Sequence, residues 1–416
     1  MTFYILVMNS VIERIKSSNN NLDENIFKEE LKKYNFGVKE DDNLFLVYYD
    51  NLNKEEIPEE YEIRSCVIEK KTYKIIATQF NNIIYNEETI EEIKKIDDFK
   101  KLTFQECYEG TLIMVFFYND KWYISTRRCL DAKKSIWNAN TTFYDLFMEA
   151  KTFEFDDLDK NYFYHFILIH HKNKNIIDYT NIFGENYTKL VHVLTVKKDD
   201  LKEIDFEIKG CIKSKKYEFE NLDNVLNELK KISESDENNG KITTEGFIVK
   251  NGSNTMKMQT YIYSYLQEVK PNKSNKYQIF LGLFQQGLIK NVGKYLTENL
   301  GMMIKMINAS MKTLCIELCK IYHNTRNRQN ENLYNMLPPA YKKAIYEIHG
   351  LFLYMKTKGG QKITLQEVYK YLRTIKLDDL LRLFYARRKI VDSDFKYPFM
   401  RYFCSHTKEL CELLFE

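Results

Sequence analysis

The sequence predicts an α+β chain in two parts: a mostly β domain of antiparallel sheet over residues 1–270 and a basic, all-helical domain over residues 271–416. Three observations lead there. Apolar residues in the first part come in short strand-length runs bounded by turn residues. One long apolar run is followed by Asn119-Asp120 and a second run, the pattern of a tight hairpin. Beyond Pro271 the apolar spacing becomes that of amphipathic helices, punctuated by Pro338-Pro339 and Gly359-Gly360.

In chain order, Arg64-Ser-Cys-Val-Ile-Glu and Tyr73-Lys-Ile-Ile-Ala-Thr read as strands joined by a lysine-rich turn, and Glu87 to Lys101 as a polar helix. Tyr108 to Tyr118 and Lys121 to Arg127 form the hairpin. Phe143 to Lys151 reads as a short helix. Tyr162 to Ile169 is expected to pair with Asn175-Ile-Ile-Asp-Tyr, and Tyr187 to Val196 adds a further strand. Ser233 to Lys241 reads as a surface loop by its polar composition. Strands resume at Glu245 to Lys250 and Met256 to Tyr261, and helices follow around 276–291, 292–325, 330–355, 364–374 and 377–389. No repeat of solenoid period is present in the sequence.

Composition narrows the function classes. With 44% apolar and 29% charged residues over 416 positions, the chain has enough to bury a substantial core, which argues against disorder. Abundant Tyr (31) and Phe (27) with scarce Pro (5) and Gly (14) fit an AT-rich coding sequence, such as that of a large DNA virus or a protist, and say nothing of mechanism. Eight cysteines form no Cys-x-x-Cys pair and the start of the chain has no leader pattern, so a reducing, cytoplasmic setting is expected. Cys315 and Cys319 share a helical face, but without partners at zinc spacing they read as core residues. Net charge is only +3, yet Gly287 to Ile390 carries 19 Lys or Arg against 7 Asp or Glu. Such asymmetry marks either a polyanion-binding part or a solvated helical surface.

Two pieces far apart in sequence carry a resemblance. Cys107-Tyr-Glu-Gly-Thr-Leu-Ile with its hairpin, and Glu245-Gly-Phe-Ile-Val-Lys followed by Lys257-Met-Gln-Thr, resemble the nucleotidyltransferase motifs of the T4-type RNA ligases that repair broken tRNA. In that family the first motif reads Lys-x-Asp-Gly-Ser-Leu-Ile, the fourth Glu-Gly-x-Val and the fifth Lys-x-Lys. Arg64 in Ile63-Arg-Ser-Cys-Val-Ile is similar to the family's Arg-Gly-Ile-Val-Phe strand, and Ala77-Thr-Gln-Phe to its Ala-Arg-Pro-Phe segment. The likeness covers roughly residues 45–265, and the basic helical part occupies the place of the family's RNA-binding C-terminal domain. It implies an antiparallel nucleotidyltransferase fold, ATP and Mg2+ as cofactors, and RNA as partner.

The resemblance also implies departures. The family's chemistry begins when a lysine amine attacks the α-phosphate of ATP, and that lysine aligns with Cys107. The third motif, Phe-Glu-Leu in the family, aligns with Phe166-Ile167-Leu168, Gln259 stands for the second lysine of the fifth motif, and Asn81, Asn82 and Ile83 offer no counterpart to another lysine. Losing several charges from one pocket conflicts with phosphoryl transfer, which depends on electrostatic positioning. Arg64, Glu109, Gly110, Glu245, Lys250 and Lys257 persist as nucleotide-contact candidates: Glu109-Gly110 as the turn after the nucleophile, Glu245 for metal or ribose, Lys257 for phosphate. Gly110 and Glu245-Gly246 also read as ordinary turns.

His165, His170 and His171 cluster around one predicted hairpin, where alternation sets His165 and His171 together and His170 apart; without a third ligand they read as core and surface residues, and no metal site is assigned. In the helical part, Tyr322-His-Asn-Thr-Arg-Asn-Arg, Tyr341-Lys-Lys-Ala and Tyr385-Ala-Arg-Arg-Lys interleave rings with cations. RNA binders use that mixture, and so does a Tyr-rich helix bundle with Tyr in its core. Arg127, Arg128, Arg326, Arg328, Lys342, Lys343, Arg387 and Arg388 are the RNA-contact candidates. The leading expectation is an RNA-ligase-like protein that binds tRNA or a structured RNA end in a cleft between the two domains, with lysine adenylylation lost. Its alternatives are an active ligase that seals pre-adenylylated RNA or uses another nucleophile, and a non-catalytic structural protein.

Overall fold

A computed structural model of the protein describes residues 2–19, 21–49, 64–79, 83–138, 141–252, 254–271, 273, 275–296, 299–327 and 332–392. The chain divides into two compact units, Met1–Tyr265 and Leu266–Glu416. The first mixes antiparallel sheet with helices and the second is helical.

The first unit opens with helices α1 (Thr2–Ser18) and α2 (Glu24–Lys33). Asp23 caps α2 by accepting from the amides of Asn25 and Ile26, while Phe27 and Leu31, one helical turn apart, are buried. Strands β1 (Phe36–Glu40), β2 (Leu44–Tyr49), β3 (Ser65–Glu69) and β4 (Ile75–Thr78) follow as an antiparallel meander. Then come β5 (Ile84–Tyr85), α3 (Asn86–Lys94), β6 (Leu102–Cys107), and the hairpin of β7 (Thr111–Tyr118) and β8 (Lys121–Ser125). Asn119 and Asp120 both take positive φ, 46° and 57°, the conformation that lets a two-residue turn match strand twist.

The chain continues through β9 (Ile136–Asn138), β10 (Thr141–Thr142), α4 (Phe143–Ala150), β11 (Tyr162–His170), the short α5 (Thr180–Phe183) and β12 (Thr188–Lys197). Short strands β13 (Glu203–Ile204), β14 (Ile212–Lys213) and β15 (Lys216–Tyr217) lead to α6 (Leu222–Asn239), the hairpin of β16 (Gly246–Asn251) and β17 (Asn254–Gln259), and α7 (Tyr261–Val269). One sheet has the order β13-β12-β11-β7-β8 with β14 alongside β12; a second has the order β15-β6-β16-β17-β5.

Period-two alternation divides the cores. Met114 and Phe116 of β7 enter a core with α1, α2 and the meander, whereas Ile113 and Val115 enter one with α4. In the second sheet Phe104, Phe247, Val249, Met256 and Met258 pack with Val225 and Leu229 of α6. The intervening residues of these strands, Cys107, Gly246, Lys257 and Gln259 among them, therefore lie on the opposite face.

Three expectations fail here. Asn175 to Tyr179 is no strand: β11 pairs with β7 and β12, and the amides of Ile176 and Ile177 bond a carboxylate instead of a ladder. Ser233 to Lys241 is mostly the end of α6, where Val225, Leu229, Ser233 and Asp236 form one buried stripe and Gly240 closes the helix in the left-handed conformation. Helical structure also begins earlier than expected, at Tyr261, because Gln259 ends β17.

The second unit contains α8 (Lys276–Gln286), α9 (Ile289–Leu296), α10 (Leu300–Asn324), α11 (Leu333–Met336), α12 (Pro339–Thr357), α13 (Leu365–Thr374) and α14 (Leu377–Asp392). The long α10 packs against α12 and α13. Its buried Glu317 carboxylate accepts from the Tyr341 hydroxyl of α12 (3.2 Å) and the Arg387 Nε of α14 (3.1 Å), so the polar group inside this bundle is satisfied by its neighbours. Among the described residues, no helix is long and apolar enough to cross a membrane.

Candidate functional site

Strand register brings the motif residues into one place. Cys107 ends β6 opposite Gly246 of β16, and Gly246 lies opposite Gln259 of β17. One rank along, Gln105, Ile248 and Lys257 stand side by side. The close approach of β16 to β17 requires glycine: Gly246 has φ 136°, and a Cβ there would lie 2.2 Å from the Met258 carbonyl oxygen. Gly110 is held to the same rule, since its Cβ would meet both Ile167 Cγ2 and the Leu168 carbonyl at 2.5 Å.

Around Cys107 the charges are paired with one another. The Glu245 carboxylate accepts from Lys257 Nζ at 2.9 Å and from Gln259 Nε2 at 3.0 Å. Gln259 is fixed in turn by Asn86, which donates to its side-chain oxygen at 3.1 Å and accepts from its backbone amide at 2.9 Å. Cys107 is 2% exposed and Glu245 4%. Burial pushes the Cys107 thiol far above its usual range, and the neighbouring Glu245 charge adds to that rise. At neutral pH this sulfur is a thiol, the form that does not attack phosphorus. Burial alone would lower the Lys257 ammonium, but the ammonium is held above its usual range, with the hydrogen-bonded Glu245 carboxylate opposing the effect of burial.

Glu109 sits in a second part of the same cluster. One carboxylate oxygen accepts from the amides of Ile176 (2.9 Å) and Ile177 (2.7 Å), the other from Asn175 Nδ2 (3.0 Å) and the Tyr263 hydroxyl (2.9 Å). Its own amide donates to the Tyr179 hydroxyl at 2.7 Å. Burial raises the Glu109 carboxyl, and these hydrogen bonds act in the opposite sense. Tyr179, Tyr263, Asn175 and Asn86 were not legible as site residues in the sequence. In a chain so rich in Tyr and Asn nothing distinguishes these four; only the position of Tyr263 just after the Lys257-Met-Gln-Thr motif hints at it.

Other expected nucleotide contacts stand on other parts of the fold. Lys250 is at the far end of β16, where its Nζ meets Glu203 at 3.3 Å. Arg64 is half-buried beside β3, in the meander. Asn81 and Asn82 lie outside the described residues, and Ile83 is buried. Ile167, aligned by the resemblance with the third-motif carboxylate, packs by Gly110.

Several of the expected RNA contacts have partners within the chain. Arg127 donates to the Tyr49 carbonyl at 3.0 Å, and Arg128 lies over the Tyr48 ring, so both tie the hairpin to β2. Arg387 is committed to buried Glu317, and Lys343 to Asp379 at 2.6 Å. The rings of Tyr322 and Tyr341 are buried in the bundle rather than presented to bases. Arg326 is exposed and covers the edge of this core over the Tyr322 ring; Lys342 is half-exposed on α12. Arg328 and the Arg388 side chain lie outside the described residues.

The histidines are held by hydrogen bonds within the chain, the Nδ1 of His170 accepting from the Lys172 amide at 3.1 Å. Buried His165 donates from Nε2 to the Thr78 carbonyl at 2.9 Å, and buried His170 meets Glu149 at 2.9 Å on the α4 side. His171 does not continue the alternation that was expected to set it with His165, because it begins a 3-10 turn. Among the described residues no group of three or more His, Cys, Asp or Glu is placed to hold a metal ion.

With this geometry, partial likenesses to known proteins can be given. No family model matches the chain. It is 40% identical over 94 residues to "Immediate-early protein ICP-46 homolog" of Invertebrate iridescent virus 3, 21% of each chain. It is 25% identical over 132 residues, 30% of its own length and 18% of the relative's, to "Putative bifunctional polynucleotide kinase/RNA ligase" of Autographa californica nuclear polyhedrosis virus. The matches span about a fifth of the length of these curated relatives. Among solved structures, an archaeal ATP-dependent RNA ligase matches with a TM-score of 0.40 at 12% identity, over 68% of this chain and 74% of that one.

Proposed function

We propose that this RNA-ligase-like protein binds RNA ends and does not adenylylate itself. The observation that carries the reading is the Cys107 thiol, buried and protonated at the position of the family's nucleophilic lysine, with Glu245 and Lys257 neutralising each other beside it. Attack on an α-phosphate needs an amine that is partly neutral, whereas the Lys257 ammonium is kept charged by its carboxylate partner. Stabilising a triphosphate also needs positive groups turned toward it, and here Gln259 is used to bridge Glu245 and Asn86. The donor set does not fit ATP with Mg2+, since the Glu109 oxygens are both taken by donors of the chain itself and the third-motif position is Ile167.

RNA, whether tRNA or another structured end, is the partner this reading assigns, because the positive charge of the chain is concentrated between Gly287 and Ile390. A site of action in the cytoplasm of an infected cell is part of the same proposal, of which the viral relatives support only the viral setting. The test is incubation of the pure protein with Mg2+ and ATP labelled at the α-phosphate, alongside RNA binding at several salt concentrations. No label should survive a denaturing gel, and RNA should bind with a negative salt slope. Covalent label on the wild type would overturn the first half, and absence of RNA binding at low salt the second.

A further inference from the structure

Helix α12 presents an unusual solvent face. Its inner stripe, Tyr341, Ala344, Ile345 and Ile348, is buried. On the outer face Tyr346 is 72% exposed, Leu353 51% and Tyr354 58%. Helical spacing sets these residues in one line with exposed Gly350 and Thr357. A cluster of large apolar side chains held in water calls for an occupant.

Charge limits what that occupant can be. From His349 to Gln366 the sequence contains no Asp or Glu, while exposed Lys356, Lys358 and Lys362 stand at the end of α12 and in the turn after it. Lys358 Nζ lies over the Tyr354 ring at 4.6 Å. Arg326 reaches the same helix through Tyr322, whose hydroxyl meets His349 at 3.2 Å. Exposed rings beside a lysine-rich stretch without carboxylates suit an unpaired nucleic-acid strand, whose bases stack on rings while its phosphates meet the cations. Duplex RNA hides its base faces and would leave the two tyrosines unused. Tyr346 and Tyr354 are eight residues apart, about 12 Å along a helix, or roughly three to four nucleotides of a stacked strand.

We infer that the outer face of α12 is a binding surface for single-stranded RNA, with Tyr346 and Tyr354 as stacking platforms and Lys356, Lys358 and Lys362 as phosphate contacts. This inference rests on the RNA-binding reading above and specifies where and in which form RNA is held. The rings that the sequence suggested, Tyr322 and Tyr341, are core; the exposed pair on α12 takes the role expected of them.

The test is fluorescence anisotropy of the full chain with a short unstructured RNA, a hairpin of equal length and an abasic strand. Wild type should prefer the unstructured strand. Tyr346→Ala and Tyr354→Ala should each weaken it about 10-fold, Tyr354→Phe should keep it, and the abasic strand should gain nothing from the rings. Changing Lys356, Lys358 and Lys362 to Gln should flatten the salt slope by about 0.7 per contact. Wild-type binding to RNA that all these variants retain would overturn the inference while leaving the RNA reading intact. Absence of RNA binding by wild type would remove both. A sedimenting dimer that the Tyr→Ala variants dissolve, with RNA affinity unchanged, would assign the face to a second copy and also overturn it.

Discussion

Glu109 illustrates how this site was legible and how it was not. Its place after Cys107 was visible in the motif, but the two loop amides that bond it come from Ile176 and Ile177, whose apolar side chains announce a strand. Backbone donors leave no mark on side-chain patterning. Replacing Glu109 by Gln keeps one acceptor oxygen and turns an NH2 group toward existing donors, which should cost about 1–3 kcal/mol. Urea unfolding checks this, and an unchanged midpoint would mean the carboxylate is not held as described. The departure at Cys107 from the motif it resembles was visible because Cys107 stands in a recognisable frame; that Lys257 and Glu245 neutralise each other needed the register of three strands.

Among the elements, turns were read well because their conformations select residue types. Asn119 and Asp120 tolerate the positive φ that the β7–β8 turn needs. Helix α6 was misread at its end because its buried stripe includes Ser233 and Asp236, polar residues that composition assigns to loops. The Asp236 carboxylate is used locally, accepting from the Thr243 amide and hydroxyl. Strand β6 was missed between an expected helix and an expected hairpin, although Leu102 and Phe104 alternate as a half-buried strand should. The most sensitive point of this sheet is Gly246, where the approach to Met258 leaves no space for a methyl group. Gly246→Ala should destabilise the protein by about 3 kcal/mol and make Cys107 react with a thiol reagent under native conditions. A variant as stable as wild type with Cys107 still protected would remove the steric argument.

For the whole molecule, the two-part α+β architecture and the uneven charge were legible because composition and periodicity are summed over many residues. The pairing of individual cations was not, so Arg387 looks like an RNA contact in sequence and proves to be the partner of buried Glu317. Titration adds a global signature. Burial lowers His165 to about 3 and His192 to about 4, from the ordinary 6.5. Because the unfolded chain takes up these protons first, their contribution is complete above pH 6.5 and is lost as pH falls toward 3. For His165 that loss amounts to up to roughly 5 kcal/mol. Glu109 acts in the opposite sense, since its raised carboxyl favours the folded state as pH falls. Comparison with His165→Gln isolates the histidine: its stability should depend less steeply on pH between 6.5 and 3, and parallel curves would refute a buried neutral His165.

The proposed loss of nucleotide capture rests on a cluster committed to internal pairing, in which more than one side chain is involved. Restoring the missing amine tests this most directly. Cys107→Lys, shown to be folded by its thermal transition, is expected to remain free of covalent AMP after incubation with α-labelled ATP and Mg2+. Strong labelling of that variant would contradict the claim, because it would mean that Glu245, Lys257 and Gln259 still form a working pocket and that sulfur at position 107 is the whole difference.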